Sequence, residues 1–536
     1  MSVHLKWPLS PLAIGAATNF LLVANIAALK ISIESIVDAL EIGSSAVKTA
    51  LIAYSLVVAA CILVGSRLAA VVGGRRLLRG ALALFAAAML AMTASTDGFT
   101  LLVAQAVAGG AAAALAPASV ALVTDHYHGE KQEQALAWMT GMHSLSLAPA
   151  FLIAGAIATW TNWRLTFVIL VLIAAFVYFL SERLDDRRGL FPASGATRAE
   201  GVGLALLAIA VLFIGLGSDR MADWGLLRAS PAAPFSPLDL SPALLVIVCG
   251  VLLLKLVFVW TRGRCSNGPL VALQMIAARP GSALLSIFAI GAVGSGVTFL
   301  IPLYVEVVQG RSSLYTALAL IPFTIASFIA TVVTIRFAGR FSQRVKSGFG
   351  FLAVFAGLAL LGAVVRDDWS DLWVIVSLAM VGFGEGALTT MLFKNLAAAG
   401  PREIEDEVEP VCDATTHLAA AVGAALVDAT VIGVLGASVD RQLARDPASH
   451  ELRQHLDLDR VAFVSNDRLR QVLERTAATR RQIDAAVRIN TDARRLALKL
   501  SVFVLAGVAL IGLLPLTRSD ADRARNSPPR LSQTRR

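Results

Sequence analysis

About fourteen apolar stretches of about twenty residues run along this chain, most of them separated by short polar turns. No other feature limits the fold so strongly. A helix of that length crosses a bilayer because it satisfies every backbone N–H and C=O within itself. The first stretch, "LKWPLSPLAIGAATNFLLVANIAAL", has its apolar core at 9–29, and the last lies at 498–516. With 57% hydrophobic and 15% charged residues in 536, compact soluble cores are excluded, and the expected class is an all-α integral membrane protein. The first stretch lacks an A-x-A-like cleavage site and is long enough to be a retained span. The four cysteines, Cys61, Cys249, Cys265 and Cys412, form no CxxC, so neither a disulfide framework nor a zinc site is indicated, and no cofactor is expected.

The net charge of +9 is placed asymmetrically. Basic residues crowd alternate turns: Lys6; Arg75, Arg76 and Arg79; Lys131; Arg183 to Arg198; Arg262 to Arg279; Arg340, Arg344 and Lys346; Lys394 and Arg402; and the tail from Arg518. The other short turns carry only Lys48, Arg164, Arg220, Arg228, Arg311 and Arg366. The positive-inside rule then puts both termini in the cytoplasm and the chain in a plasma (bacterial inner) membrane. No basic and aromatic surface for nucleic acid appears. One long loop, 437–497, is expected outside. Within it Ser465 or Asn466 offers an N-cap, and Leu469, Val472, Leu473, Thr476, Ile483, Val487 and Leu496 follow at helical spacing, predicting an amphipathic helix into the last span. Its ordinary role is to rest on the membrane or the protein; a lid or docking element is the sharper one.

"GSRLAAVVGGRRLLRG" at 65–80 is nearly repeated by "AGRFSQRVKSG" at 338–348, and aligning Arg67 with Arg340 places both at the turn between consecutive spans. Duplicated halves are common in secondary transporters. The first copy resembles the signature loop of the major facilitator superfamily. "VALVTDHYHGEKQEQALAWMTG", "LAPAFLIAGAIATWTNWRLTFVI", "FLIPLYVEVVQGRSSLYTALALIPF" and "DATTHLAAAVGAALVDATVIGVLG" resemble its fourteen-span drug:proton antiporter branch. The resemblance implies two six-helix bundles, 1–200 and 281–516, around a substrate cavity. Residues 201–280 would hold two additional spans and a linker, and 517–536 a basic tail.

The chain departs from that pattern where the family carries charge. Ala70 and Gln343 stand where the signature loop has an aspartate, and Gln105 where the fourth span often has an arginine. The first span offers only Asn19 and Asn25 in place of an acid. The loop arginines Arg67, Arg75, Arg76, Arg340 and Arg344 can anchor the turns at the membrane face, or gate by bonding helix-end carbonyls. Asn19, Asn25, Gln105 and His143 become candidates for the substrate cavity.

A charge at bilayer depth costs about 2.5–3.5 kcal/mol on insertion scales, so each one needs a reason. Glu385 lies mid-span in "VGFGEGALTT", and Asp413, His417 and Asp428 fall near one stripe of the thirteenth span. Those four are the proton-coupling candidates, with structural carboxylates bonded to a neighbouring Ser or Thr as the ordinary alternative. Glu306 is placed near the outer mouth, and Lys255 close enough to the face to snorkel. "GFGEG" follows no strand and has no Walker lysine, so nucleotide binding is rejected. The acidic "GPREIEDEVEP" at 400–410 is expected to be a solvated turn, with no metal site.

The expected function is proton-coupled efflux of small amphipathic or cationic organic compounds by alternating access. The partners are that substrate, protons and the lipid bilayer, with a periplasmic adaptor as a further candidate in a host with two membranes. The alternative is an importer, a facilitator, or an exporter of a lipid or natural metabolite without the usual N-half coupling. An enzyme is not expected, since the only sizeable soluble piece shows no nucleophile or metal-ligand pattern.

Overall fold

The structure is a computed structural model that describes residues 11–184, 198–236, 239–262, 264–265, 268–277, 283–336, 343–365, 372–399, 405–443, 470, 474 and 480–526. Among the described residues fourteen helices are long and apolar enough to cross a membrane. The first half contains α1 (Pro11–Ile31), the short α2 (Ile33–Leu40), α3 (Ser44–Val72), α4 (Gly74–Thr93), α5 (Gly98–His126), α6 (Glu130–Trp160) and α7 (Trp163–Ser181). Then come α8 (Arg198–Asp219), the single turn α9 (Met221–Trp224), α10 (Pro242–Thr261) and α11 (Pro269–Ala277). The second half contains α12 (Ala283–Pro302) with a π-helical turn at Leu303–Val308, then α13 (Ser313–Arg336), α14 (Gln343–Val364), α15 (Leu372–Ala399), α16 (Glu405–Leu443) and α17 (Arg480–Asn526).

Local chemistry sets several of these boundaries. The glycine pair in "AAVVGGRR" breaks α3 from α4 in one residue: Gly73 takes φ +96, a left-handed conformation that a side chain would strain. Asp97 starts α5 with a capping box, its carboxylate accepting from the Thr100 N–H at 2.7 Å while its own N–H donates to the Thr100 hydroxyl. Asn162 caps α7 and Ser241 caps α10, whose first residue is Pro242.

Spanning helices pack on small residues that let backbones approach. In the first half Gly109 of α5 lies on the backbone of Tyr54 of α3; a Cβ there would meet the Tyr54 carbonyl oxygen at 2.6 Å. In the second half Gly386 of α15 lies on Ser327 of α13, where the same distance would be 2.2 Å. Aligning Arg67 with Arg340 pairs Tyr54 with Ser327 and Gly109 with Gly382, one turn before Gly386, so the two crossings are alike in kind and differ by a turn in register.

Two seams join the halves, α3 against α16 and α6 against α13. The α8–α10 pair packs beside the first of them, α8 touching both α3 and α16. α10 turns Val248, Val251, Leu252, Leu256 and Val259 outward, a lipid-facing stripe.

Three expectations change. The acidic turn at 400–410 is helical from Glu405, so Glu407, Glu409 and Pro410 are the first turns of α16, and proline is tolerated that early. The long loop is shorter than expected at both ends, because α16 continues to Leu443 and α17 begins at Arg480 and runs unbroken through the last span. Of the amphipathic pattern, Ile483 is buried and Val487 half-buried, but Leu496 is exposed; the inward face passes through Asn490, Ala493, Arg494 and Ala497 instead. Ser465, Asn466, Leu469, Val472, Leu473, Thr476 and Arg340 lie outside the described residues, as do the side chains of Gln343 and Arg344.

Candidate functional site

The two seams enclose the candidate site. Along α3–α16, Ser66 donates to Glu407 at 3.2 Å near the arginine-rich face. In the middle Tyr54 meets His417 edge to face, ring centroids 6.4 Å apart. Near the opposite face the Lys48 ammonium donates to Asp428 at 2.7 Å. Along α6–α13 the hydroxyls of Ser144 and Thr331 lie 3.2 Å apart, and Thr159 accepts the Leu314 N–H at 2.9 Å. The halves therefore touch at three depths of the first seam and two of the second, and Gly155 of α6 also lies against the Ser313 backbone of α13.

Between the seams the two halves present different chemistry. In the first half the buried amides of Asn25 and Gln105 pair reciprocally, at 3.1 and 3.3 Å. Two such amides satisfy each other without charge, so Gln105 fills the fourth-span position with a neutral bond where the family pattern has a guanidinium. Asn19 bonds the ring of His143 at 3.0 Å and donates to the Met139 carbonyl. His143 is exposed although it lies well inside α6, and it is within electrostatic reach of His417, so it faces solvent-accessible space between the halves.

In the second half the groups are ionisable. Glu385 of α15 accepts from Ser327 of α13 at 2.8 Å. Asp413 and His417 lie one turn apart on α16, as expected. Glu409 sits one turn before Asp413, is solvent-exposed, and interacts electrostatically with it. Glu409, Asp413 and His417 thus form an i, i+4, i+8 stripe. The sequence reading missed Glu409 because it placed the acidic segment in a turn; an i−4 carboxylate before Asp413 was the available signal.

Asp428 belongs elsewhere. It is 2% exposed and bound by Lys48, which also lies 3.5 Å from Asp219 at the end of α8. At the other end of the same helix pair, Arg67 meets Glu200 with both atoms of its fork at 3.1 Å. Lys48 and Arg67 are 19 residues apart in α3, as are Glu200 and Asp219 in the antiparallel α8. At 1.5 Å per residue the clasps are about 28 Å apart, close to the thickness of the hydrocarbon core. The sequence reading missed Lys48, Glu200 and Asp219 as partners, though equal charge spacing on two adjacent spans was there to be found. The acid absent at Ala70 is therefore replaced as Arg67's partner by Glu200 of α8.

The remaining loop arginines act within one half. Arg75, in the first turn of α4, donates to the carbonyls of Ser181 and Glu182 at the end of α7, at 3.0 and 2.6 Å. Arg164, in the first turn of α7, donates to Thr93 and Ser95 at the end of α4, at 3.0 and 2.9 Å. Each cation thus meets the partially negative C-terminus of the other helix. Arg79 pairs with Glu182 at 2.7 Å and stacks on Tyr178, and Arg76 is exposed. Among the described residues no group of three or more potential metal ligands occurs.

Known proteins resemble this chain in sequence and in fold. Residues 12–406 match the Major Facilitator Superfamily. The cephamycin export protein CmcT of Amycolatopsis lactamdurans is 25% identical over 73% of this chain and 78% of its own. The multidrug resistance protein Stp of Mycobacterium tuberculosis is 23% identical over 82% of this chain and 79% of its own. A bacterial homologue of the human lysosomal transporter Spinster, crystallised inward-facing and unoccupied, superposes with a TM-score of 0.59 at 13% identity, covering 97% of this chain and 98% of that one.

Proposed function

The chain belongs to the major facilitator superfamily, and from that premise we propose that this multi-pass secondary transporter exports small amphipathic or cationic organic compounds in exchange for protons. The reading rests on one observation above the rest: solvent-accessible ionisable groups, Glu409, Asp413, His417 and Glu385, gather on the C-terminal half between the two seams. Carboxylates there offer charge complementarity to a cationic substrate, and Glu409 and Asp413 repel each other when both are ionised. Binding of either a proton or a cation relieves that repulsion, so the two compete for one place, which is the requirement for antiport. Relatives named for export of an antibiotic and for multidrug resistance support outward transport of organic compounds.

In this reading the arginine-rich face is cytoplasmic and the bundles rock about the two seams. Asn19 and His143 line the opposing wall and supply neutral hydrogen bonds, whereas Asn25 and Gln105 are fully buried and closed on each other. The experiment is transport into everted membrane vesicles. A lipophilic fluorescent cation such as ethidium should accumulate when the lumen is acidic and leak out on addition of a protonophore. Accumulation equal to that of vesicles without the protein, across a panel of cationic and neutral amphiphiles, overturns the efflux reading. Accumulation that persists with the protonophore removes the proton.

A further inference from the structure

Among the described residues Lys48 is the one cation held across the α3–α16 seam at the face away from the arginine-rich loops, and three elements meet on it. It is 4% exposed, bonded to Asp428 of α16 at 2.7 Å and 3.5 Å from Asp219 of α8, which is itself 4% exposed. If the bundles rock, this face must open, and Asp428 leaves with the second half while Lys48 stays with the first. A buried ammonium stripped of its carboxylate is among the most costly arrangements a protein interior can hold. Opening therefore needs a second anion that does not move away.

Asp219 fits that need by geometry. The Arg67–Glu200 fork ties α8 to α3 at the far end, and the equal 19-residue spacing fixes the register that brings Asp219 to Lys48. Both end-to-end ion pairs of α8 are to α3, so α8 is bound to travel with it. Exposed Arg220, with Nε 3.9 Å from Asp219, gives that carboxylate a cation of its own while Lys48 is engaged by Asp428. We infer that Asp219 is a positioning residue for transport: it takes over Lys48 when the Lys48–Asp428 bridge parts, so the additional helix pair makes the gate reversible. This rests on the alternating-access reading and adds to it a role for the two helices that a twelve-span transporter lacks.

The test reads conformation rather than transport. The full chain, with its four cysteines replaced by serine, carries spin labels at Ser45→Cys and Ala437→Cys, both exposed positions flanking the gate, and is reconstituted in lipid nanodiscs. The wild-type background should show a short and a long distance. Asp428→Asn should enrich the long one. Asp219→Asn should deplete the long one by about tenfold or more, the effect of leaving a buried cation unpaired, and Asp219→Glu should restore it. Adding Lys48→Gln to Asp219→Asn should bring the long distance back, which a mere anchoring role for Asp219 would not do. Asp219→Asn populations equal to the wild-type background, or a depletion that Lys48→Gln fails to relieve, overturn the inference while leaving alternating access intact. A single distance under every condition in the wild-type background removes alternating access and this inference together.

Discussion

The two halves share a skeleton and differ at the same place on it. Gly109 rests on Tyr54 in the first half as Gly386 rests on Ser327 in the second, Tyr54 and Ser327 being repeat-related and the glycines one turn apart in register. Beside those glycines the chemistry diverges: Ala108 is apolar and fully buried, whereas Glu385 is a carboxylate bonded to the serine that the glycine touches. One turn earlier, Gln105 closes a neutral amide pair with Asn25. A duplicated scaffold can therefore keep its helix crossings, which sterics dictate, while the groups beside them differ: a neutral amide pair in the first copy and a carboxylate in the second, with Lys30 of α1 the buried cation that the first half donates to Thr298 of α12.

The largest expected effect breaks that division outright. The double variant Glu409→Gln, Asp413→Asn should lower gradient-driven transport in everted vesicles by at least about tenfold, within the range of ordinary coupling energies. Exchange of substrate across the membrane without a gradient should persist. Equal loss of both activities would place the pair in folding rather than coupling.

Next is the shared crossing. Gly386→Leu and Gly109→Leu should each destabilise the protein by about 1–3 kcal/mol or prevent assembly, since backbone occupies the space a side chain would enter. Thermal unfolding in detergent checks this, and comparable losses in the two halves would confirm that the crossings are equivalent. Gln105→Leu leaves the buried Asn25 amide unsatisfied and should cost about 1–3 kcal/mol; adding Asn25→Leu should recover part of it. Transport by that double variant should remain proton-driven if the carboxylates of the second half carry the coupling.

The reciprocal clasps within the first half are weaker. Arg75→Ala and Arg164→Ala should each cost about 1 kcal/mol, measured as a shift in Tm, without moving the proton dependence of transport.

A separate effect is a pH slope. Glu34, on α2 outside the spans, has its carboxyl pushed up from the ordinary 4.5 to about 7, first by burial and then by the charge of Asp38. The folded state therefore binds a proton more readily than the unfolded chain. The stabilisation is complete below pH 4.5 and is lost as pH rises through about 7. Glu34→Gln should flatten that slope in a Tm-versus-pH series; an unchanged slope would assign it to another group.

How far the site could be read depended on what each residue's position required. Glu385, Asp413 and His417 stood out because charge inside an apolar run is conspicuous. Glu409 did not, because it sits at the end of such a run, where acid is unremarkable until the helix is known to begin at Glu405. Asp428 was visible as an intramembrane acid, but its partner was not. Lys48 lies at the edge of a span, where a lysine ordinarily reaches for water, and only the meeting of α3, α8 and α16 turns it inward.

The sequence by itself determined the membrane class, the number of spans and the duplication, because bilayer thickness and backbone hydrogen bonding leave a twenty-residue apolar run only one structure. It also determined which charges are too costly to be accidental. Which charge meets which was decided by the tertiary structure alone. Side-chain pairing across antiparallel helices depends on register and rotation, and an apolar span of given length fits the bilayer equally well in any rotation. The Lys48–Asp219 and Arg67–Glu200 clasps, the Asn25–Gln105 pair and the Glu385–Ser327 bond all arise at that level, where packing selects one rotation from many.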